Sequence, residues 1–210
     1  MGFDFEIIPV RNIAFQGSWL IDDLDFATLG TDSGQTSNKF GIQIGGYWVD
    51  AFTIPNLGFK LEYTRLDPFV YAHKSNKAQY THWDLPLGPN LQPNSDQIAV
   101  GLYYDFGSRV KSSIIYQKQR SGEGLVLDSL GNIVINYGGN INNGIGESNI
   151  VPIFLDGNRV NRDIVTFNFS WEPLRQFYLN FMYVHRFIDN IFENRELNDD
   201  YFFATFNVHY

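Results

Sequence analysis

Eight segments of this chain, each of about ten residues, alternate apolar side chains with polar or small ones, and the loops between them are alternately long and short without a break. The segments are residues 10–21, 39–50, 56–66, 96–106, 109–120, 162–171, 177–187 and 201–210, bounded by Gly, Asn, Asp and Pro. Successive side chains of a strand point to opposite faces, so each segment has one apolar face and one mixed face. The loops run long at 22–38, short at 51–55, long at 67–95, short at 107–108, long at 121–161, short at 172–176 and long at 188–200. A soluble sandwich has no reason to segregate its loops in this way, whereas a membrane barrel keeps short turns on one side and long loops on the other.

The carboxyl-terminal segment carries the same message. Tyr210, Val208, Phe206, Ala204 and Phe202 share one face, and His209, Asn207 and Thr205 share the other. An apolar-faced final strand with a terminal aromatic resembles the signal strand that the insertion machinery of bacterial outer-membrane barrels reads. Phe202, Phe206, Val208 and Tyr210 are the expected contacts. Aromatics make up 17% of the chain against 44% hydrophobic residues overall, as expected where only every second strand residue meets lipid and aromatic girdles mark both interfaces. No stretch approaches the ~20 continuous apolar residues of a spanning helix. The expected fold is therefore all-β: an antiparallel transmembrane β-barrel with about eight visible strands, in a single domain over residues 1–210, in the bacterial outer membrane and in contact with its lipid.

Loop parity also sets an orientation. With the last strand descending to the periplasm, the long loops lie outside and the short turns inside, and Gly107-Ser108 fits a tight two-residue hairpin. Residues 3–8, ending at Pro9, read as the lower end of an earlier descending strand. No basic region followed by an apolar core opens the chain, although an outer-membrane protein needs a secretory signal. The visible strands are thus expected to be the C-terminal part of a larger, N-terminally truncated barrel.

The two faces differ in chemistry. Phe40, Ile42, Ile44 and Trp48, then Leu57, Phe59, Leu61 and Tyr63, Ile98, Val100, Leu102, Tyr104 and Phe106, and Val165, Phe167, Phe169 and Trp171 are expected to face lipid. Lys60, Glu62, Gln97, Asp105 and Arg186 head the polar set expected to face a lumen. The segment 109–120 fits this division least, since Ser112 and Lys118 share a face with Ile114 and Tyr116, which calls for a bulge in its register.

A net charge of -8 without clustered Lys and Arg argues against a nucleic-acid partner. The absence of Cys removes thiolate metal sites and Cys nucleophiles. His185 and His209 lie on strands without paired ligands, so neither a metal nor another cofactor is expected.

The most distinctive internal stretch is 61–97, LEYTRLDPFVYAHKSNKAQYTHWDLPLGPNLQPNSDQ. It carries Glu62-Tyr63-Thr64-Arg65, a Pro68-Phe69 step, Tyr71-x-His73, Tyr80-Thr81-His82-Trp83, Pro86-Leu87-Gly88 and Pro93-Asn94-Ser95-Asp96. In these motifs the chain resembles the Wzi capsule-assembly family of outer-membrane barrels. The resemblance implies a longer barrel with additional N-terminal strands, and a non-enzymatic role in assembling or attaching capsular or other exopolysaccharide at the cell surface.

Aromatic faces stack on the C–H faces of sugars while His and Asn hydrogen-bond hydroxyls, so Tyr71, His73, Tyr80, His82 and Trp83 are the candidate polysaccharide contacts. The same composition also serves a loop folded inward to plug the lumen, or an aromatic girdle at the outer interface. Two other functions compete. A polar lumen would serve a porin-like diffusion channel, and His73-Lys74-Ser75-Asn76 matches the H-x-S-N core of outer-membrane lipid esterases. The glycine expected shortly after that core is absent, Lys77 and Ala78 standing there, and no catalytic residue is assigned. In the Gly- and Asn-rich loop 121–161, a hairpin is expected around Gly131-Asn132.

Overall fold

The computed structural model describes residues 1–24, 26–27, 38–72, 81–82, 85–86, 88–143 and 153–208. Among them the chain is all-β, with thirteen strands and no α-helix. In chain order the strands are β1 Gly2–Val10, β2 Ile13–Asp23, β3 Lys39–Val49, β4 Leu57–Leu66, β5 Thr81–His82, β6 Leu85–Pro86, β7 Ser95–Asp105, β8 Val110–Glu123, β9 Leu125–Leu127, β10 Ile133–Asn136, β11 Asn158–Leu174, β12 Phe177–Asn190 and β13 Arg195–Val208.

Nine of them form one antiparallel sheet in the order β1-β2-β3-β4-β7-β8-β11-β12-β13. Each long strand pairs with the long strand before and after it, the arrangement that hairpin connections produce. β5 pairs with β6, and β9 with β10 around the turn that contains Gly131 and Asn132.

Five expectations need correction. The sheet has nine strands where about eight were expected; residues 3–8, expected as part of an earlier strand, do form one, β1, in register with β2 through Phe3↔Trp19, Phe5↔Gly17 and Ile7↔Phe15. The sheet is open, with β1 and β13 as its edges; these two run in the same direction and so cannot pair antiparallel with each other. The expected long loop 188–200 shrinks to a four-residue turn, 191–194, because β12 and β13 continue through Ile188↔Leu197, Asp189↔Glu196 and Asn190↔Arg195. The last two of these rungs are polar and keep backbone pairing without the apolar alternation that reveals strands in a sequence. At the opposite end, β7 and β8 are joined by residues 106–109, closed by the Phe106 N–H on the Val110 carbonyl, not by a two-residue turn.

β8 pairs without a register shift on either side, so it contains no bulge. Lys118 and Ser112 do stand on the face of Ile114 and Tyr116. Lys118 lies 3.9 Å from Asp163, and the Ser112 hydroxyl donates to the Asn168 carbonyl, so both are accommodated in place.

Strand pairing carries the two faces across the whole sheet. One row reads Trp48, Phe59, Leu102, Ile114, Phe167, Tyr183 and Phe202; the adjacent row on the opposite face includes Lys60, Gly101, Ile115, Thr166 and Val184. The apolar face is bare: Leu61, Ile44 and Phe202 are 48%, 50% and 69% exposed. The principal buried cluster among the described residues lies on the other face, at the long-loop end, where Leu66, Val70, Tyr71, Leu91 and Ile141 pack with Leu20.

Candidate functional site

The chain leaves β4 at Leu66, a buried residue on the polar face, and turns back over that face. Phe69 and Tyr71 both take left-handed backbone angles, φ 63° and 68°, which are uncommon for bulky residues and need support from their surroundings. That support comes from two directions. The Phe69 N–H donates to the Gly138 carbonyl at 3.1 Å, and the Tyr71 N–H donates to the Asp22 carboxylate at 3.0 Å. Phe69, Val70, Tyr71 and Ala72 are all buried as a result.

Asn94 joins the return of this loop to the longest loop. Its side chain is fully buried, and its Nδ2 lies 3.0 Å from each of the carbonyls of Gly122, Tyr137 and Asp156. Its Oδ1 accepts the N–H of Leu155 at 2.5 Å. Backbone groups that have no strand partner are thereby satisfied inside a packed region, where leaving one unpaired costs about 1–3 kcal/mol. Asn tolerates the left-handed φ of 53° found here better than other non-glycine residues do.

Below this cap the polar face holds a trough made of two adjoining cavities, of about 510 and 410 Å3. They share Ser18 and Gln43. Tyr71, Gly88 and Asp22 bound the upper cavity, and Asp4, Glu6 and Gln16 bound the lower one. The Tyr71 phenol occupies the space that a Cβ at Gly88 would need, so the glycine permits the close approach of the loop. Amides, a hydroxyl and carboxylates offer donors and acceptors to a hydroxylated ligand, while the acids disfavour an anionic one.

The five candidate sugar contacts are placed unequally. Tyr71 is 5% exposed and lines the upper cavity, so its ring is not an outward stacking platform. His82 belongs to β5 by its backbone. His73, Tyr80 and Trp83 lie outside the described residues, as does Ser75 of the esterase-like motif. Sequence alternation puts Gln43 on the lumen face without marking it as a site residue, and it missed Ser18 and Asp22, which isolated strand patterns do not distinguish from other polar residues.

Lys60, Glu62, Gln97, Asp105 and Arg186 all stand on the polar face. Lys60 and Glu62 pair at 2.9 Å, Gln97 accepts from Gln119 at 2.6 Å, and Arg186 pairs with Asp199 at 2.6 Å. Asp105 stands opposite Lys111. Phe202, Phe206 and Val208 share the apolar face of edge strand β13; Tyr210 lies outside the described residues.

The apolar face has a boundary of its own. Tyr63, Tyr116 and Tyr183 donate their phenol protons to Asp96, Asp163 and Asp200, in each case one strand over and two residues nearer the long-loop end. No known protein family, curated protein or solved structure matches the chain.

Proposed function

We propose that the chain forms part of the wall of a bacterial outer-membrane β-barrel, similar to the Wzi capsule-assembly family, that attaches or organises surface polysaccharide without catalysing a reaction. The observation that carries the membrane reading is the slant of the tyrosine–aspartate belt. From β4 to β8 and again from β8 to β12, the tyrosine drops two residues relative to the perpendicular rows of the sheet. Two residues of rise over two strand spacings correspond to strands tilted by roughly 35° from the normal to the belt, within the range of transmembrane barrels.

The lower edge follows the same slant. Leu57, Val110 and Phe177 lie six residues below Tyr63, Tyr116 and Tyr183, with no charged residue on the intervening apolar positions. Measured from the aspartate row and corrected for tilt, the band is about 22 Å tall, close to the ~25 Å apolar band of outer-membrane barrels. Aromatics collect along its lower margin, where Trp48 and Phe52 lie 4.9 Å apart and Tyr104 and Phe106 4.7 Å apart. Water would penalise so broad an apolar surface.

In a bilayer the exposed backbone groups of β1 and β13 need partners. An all-antiparallel closure takes an odd number of further strands between these two edges, which agrees with the larger barrel that the Wzi resemblance implies. The trough beneath the Asn94 cap is the proposed polysaccharide contact, and its Asp4, Glu6 and Asp22 favour neutral over polyanionic sugar.

Loss of the protein from an encapsulated cell should release polysaccharide into the medium, and purified protein should not conduct in planar bilayers. Full retention of capsule together with steady conductance would overturn this reading in favour of a diffusion channel, whose open lumen the inward-turned loop opposes.

A further inference from the structure

We infer that the apolar face between β2 and β8 binds one anionic phosphomonoester lipid of the surrounding leaflet, with an acyl chain in a notch at Gly46 and the phosphate at Arg65, Lys118 and Arg120. This rests on the membrane reading above. The notch lies where Gly46 stands between Phe15 and Leu61 in one row of the sheet; the Phe15 ring leans over the glycine, 3.1 Å from where a Cβ would stand, and forms one wall. A cavity of about 540 Å3 opens there, with walls that include Ile44, Trp48, Phe59 and Ile98.

The cations stand directly above it. Arg65, Asp96 and Arg120 occupy one row on three adjacent strands, and Lys118 pairs with Ile98, a wall of the notch. Charge is layered at this rim. The Asp96, Asp67 and Asp163 side chains are 4%, 17% and 30% exposed, whereas those of Arg65, Arg120 and Lys118 are 40%, 43% and 52% exposed.

The acids therefore orient the guanidinium groups from behind and leave the positive layer outermost. Arg65 is further held over the Phe154 ring, 3.8 Å from its centre. At 3.9 Å from Asp163, Lys118 is beyond good hydrogen-bond distance and keeps donors for an incoming phosphate. From the Gly46 row to the Arg65 row is four residues, ~13 Å along the strand or ~11 Å corrected for tilt, which places the notch at mid-height of the ~22 Å band.

The test reconstitutes the complete barrel that contains this chain, closed by the further strands between β13 and β1, in phosphatidylcholine vesicles with and without phosphatidic acid, and reads the unfolding temperature by the gel-mobility change of the folded barrel. Phosphatidic acid should raise it by about 5 °C, the scale expected for a ligand well above its dissociation constant. The double variant Lys118→Gln/Arg65→Gln, and separately Ile44→Trp to fill the notch, should abolish that rise while folding normally in pure phosphatidylcholine.

An equal unfolding temperature in both lipids, or a rise that survives in either variant, would overturn the proposal. So would a rise produced by glycerol phosphate alone, since that ligand has no acyl chain, or by a soluble acidic oligosaccharide, which would make the rim a glycan contact. Failure to fold in any vesicle would instead overturn the membrane reading, and this site with it.

Discussion

Asn94 donates from its side-chain amide to the Tyr137 carbonyl at 3.0 Å, a contact between loops 43 residues apart. The same amide faces the carbonyls of Gly122 and Asp156, so one buried side chain joins three backbone segments over the polar trough. Asn94→Ala should cost about 2–4 kcal/mol, through lost hydrogen bonds and newly unpaired backbone groups. Hydrogen exchange at Leu155, whose N–H the Asn94 oxygen accepts, reports the effect directly; unchanged protection there would contradict the clamp.

Gly138 supports the cap from the other side. It takes φ 69°, and a Cβ at this position would lie 2.8 Å from both the ring and the nitrogen of Phe69. Gly138→Ala should destabilise the protein by about 1–3 kcal/mol, and proteolysis should cut first in the loop after β4. Wild-type resistance of that loop would show that the contact yields without loosening the cap.

The proposed lipid face makes a pairwise prediction at neighbouring positions. Leu61 is exposed on the apolar face, while Glu62 sits on the polar face beside Lys60. Leu61→Arg should lose about 2–4 kcal/mol of membrane stability and assemble poorly, whereas Glu62→Gln should assemble like wild type. Equal yields of heat-modifiable protein from outer membranes would remove the facing assignment.

In the trough, Gln43 joins the upper and lower cavities. Gln43→Leu should weaken binding of neutral capsular oligosaccharide by about tenfold, the loss of one or two hydrogen bonds, with assembly unchanged. Isothermal titration against the purified oligosaccharide would decide it. An unaltered affinity would move the contact elsewhere on the protein.

Acid should loosen the β9–β10 turn. The Asp128 carboxylate accepts the Asn132 side-chain amide, then the Asn132 N–H and the Leu130 N–H, which together hold its pKa below the ordinary 3.8. A depressed acid pKa means the contribution is complete above the unfolded value and is lost as pH falls through the folded one. NMR shifts of the Asn132 amide should therefore hold from neutral pH down towards the ordinary carboxylate value and move as pH falls below it; Asp128→Asn should move them at every pH.

Periodicity made the sheet legible. Phe59, Leu61 and Tyr63 alternate with Lys60, Glu62 and Thr64 because a strand has a period of two, and pairing with β3 and β7 preserved that division. The outer rungs of β12 and β13 were not legible, since Asp189↔Glu196 and Asn190↔Arg195 carry no apolar face. The candidate site was legible only in its region. Pro93-Asn94-Ser95-Asp96 marked a strand start, but the partners of Asn94 lie 28 to 62 residues away, and no local rule identifies them.

From the sequence alone came the all-β class, the extents of most strands and the residues that share each face, because these depend on local alternation and on turn-forming residues. Tertiary structure decided that residues 67–72 turn inward, that Tyr71 is buried and that Ser18 and Gln43 line one trough. It also aligned Tyr63, Tyr116 and Tyr183 into an oblique belt. Those outcomes depend on strand register and on hydrogen bonds between distant loops, and neither is written in any short window of the chain.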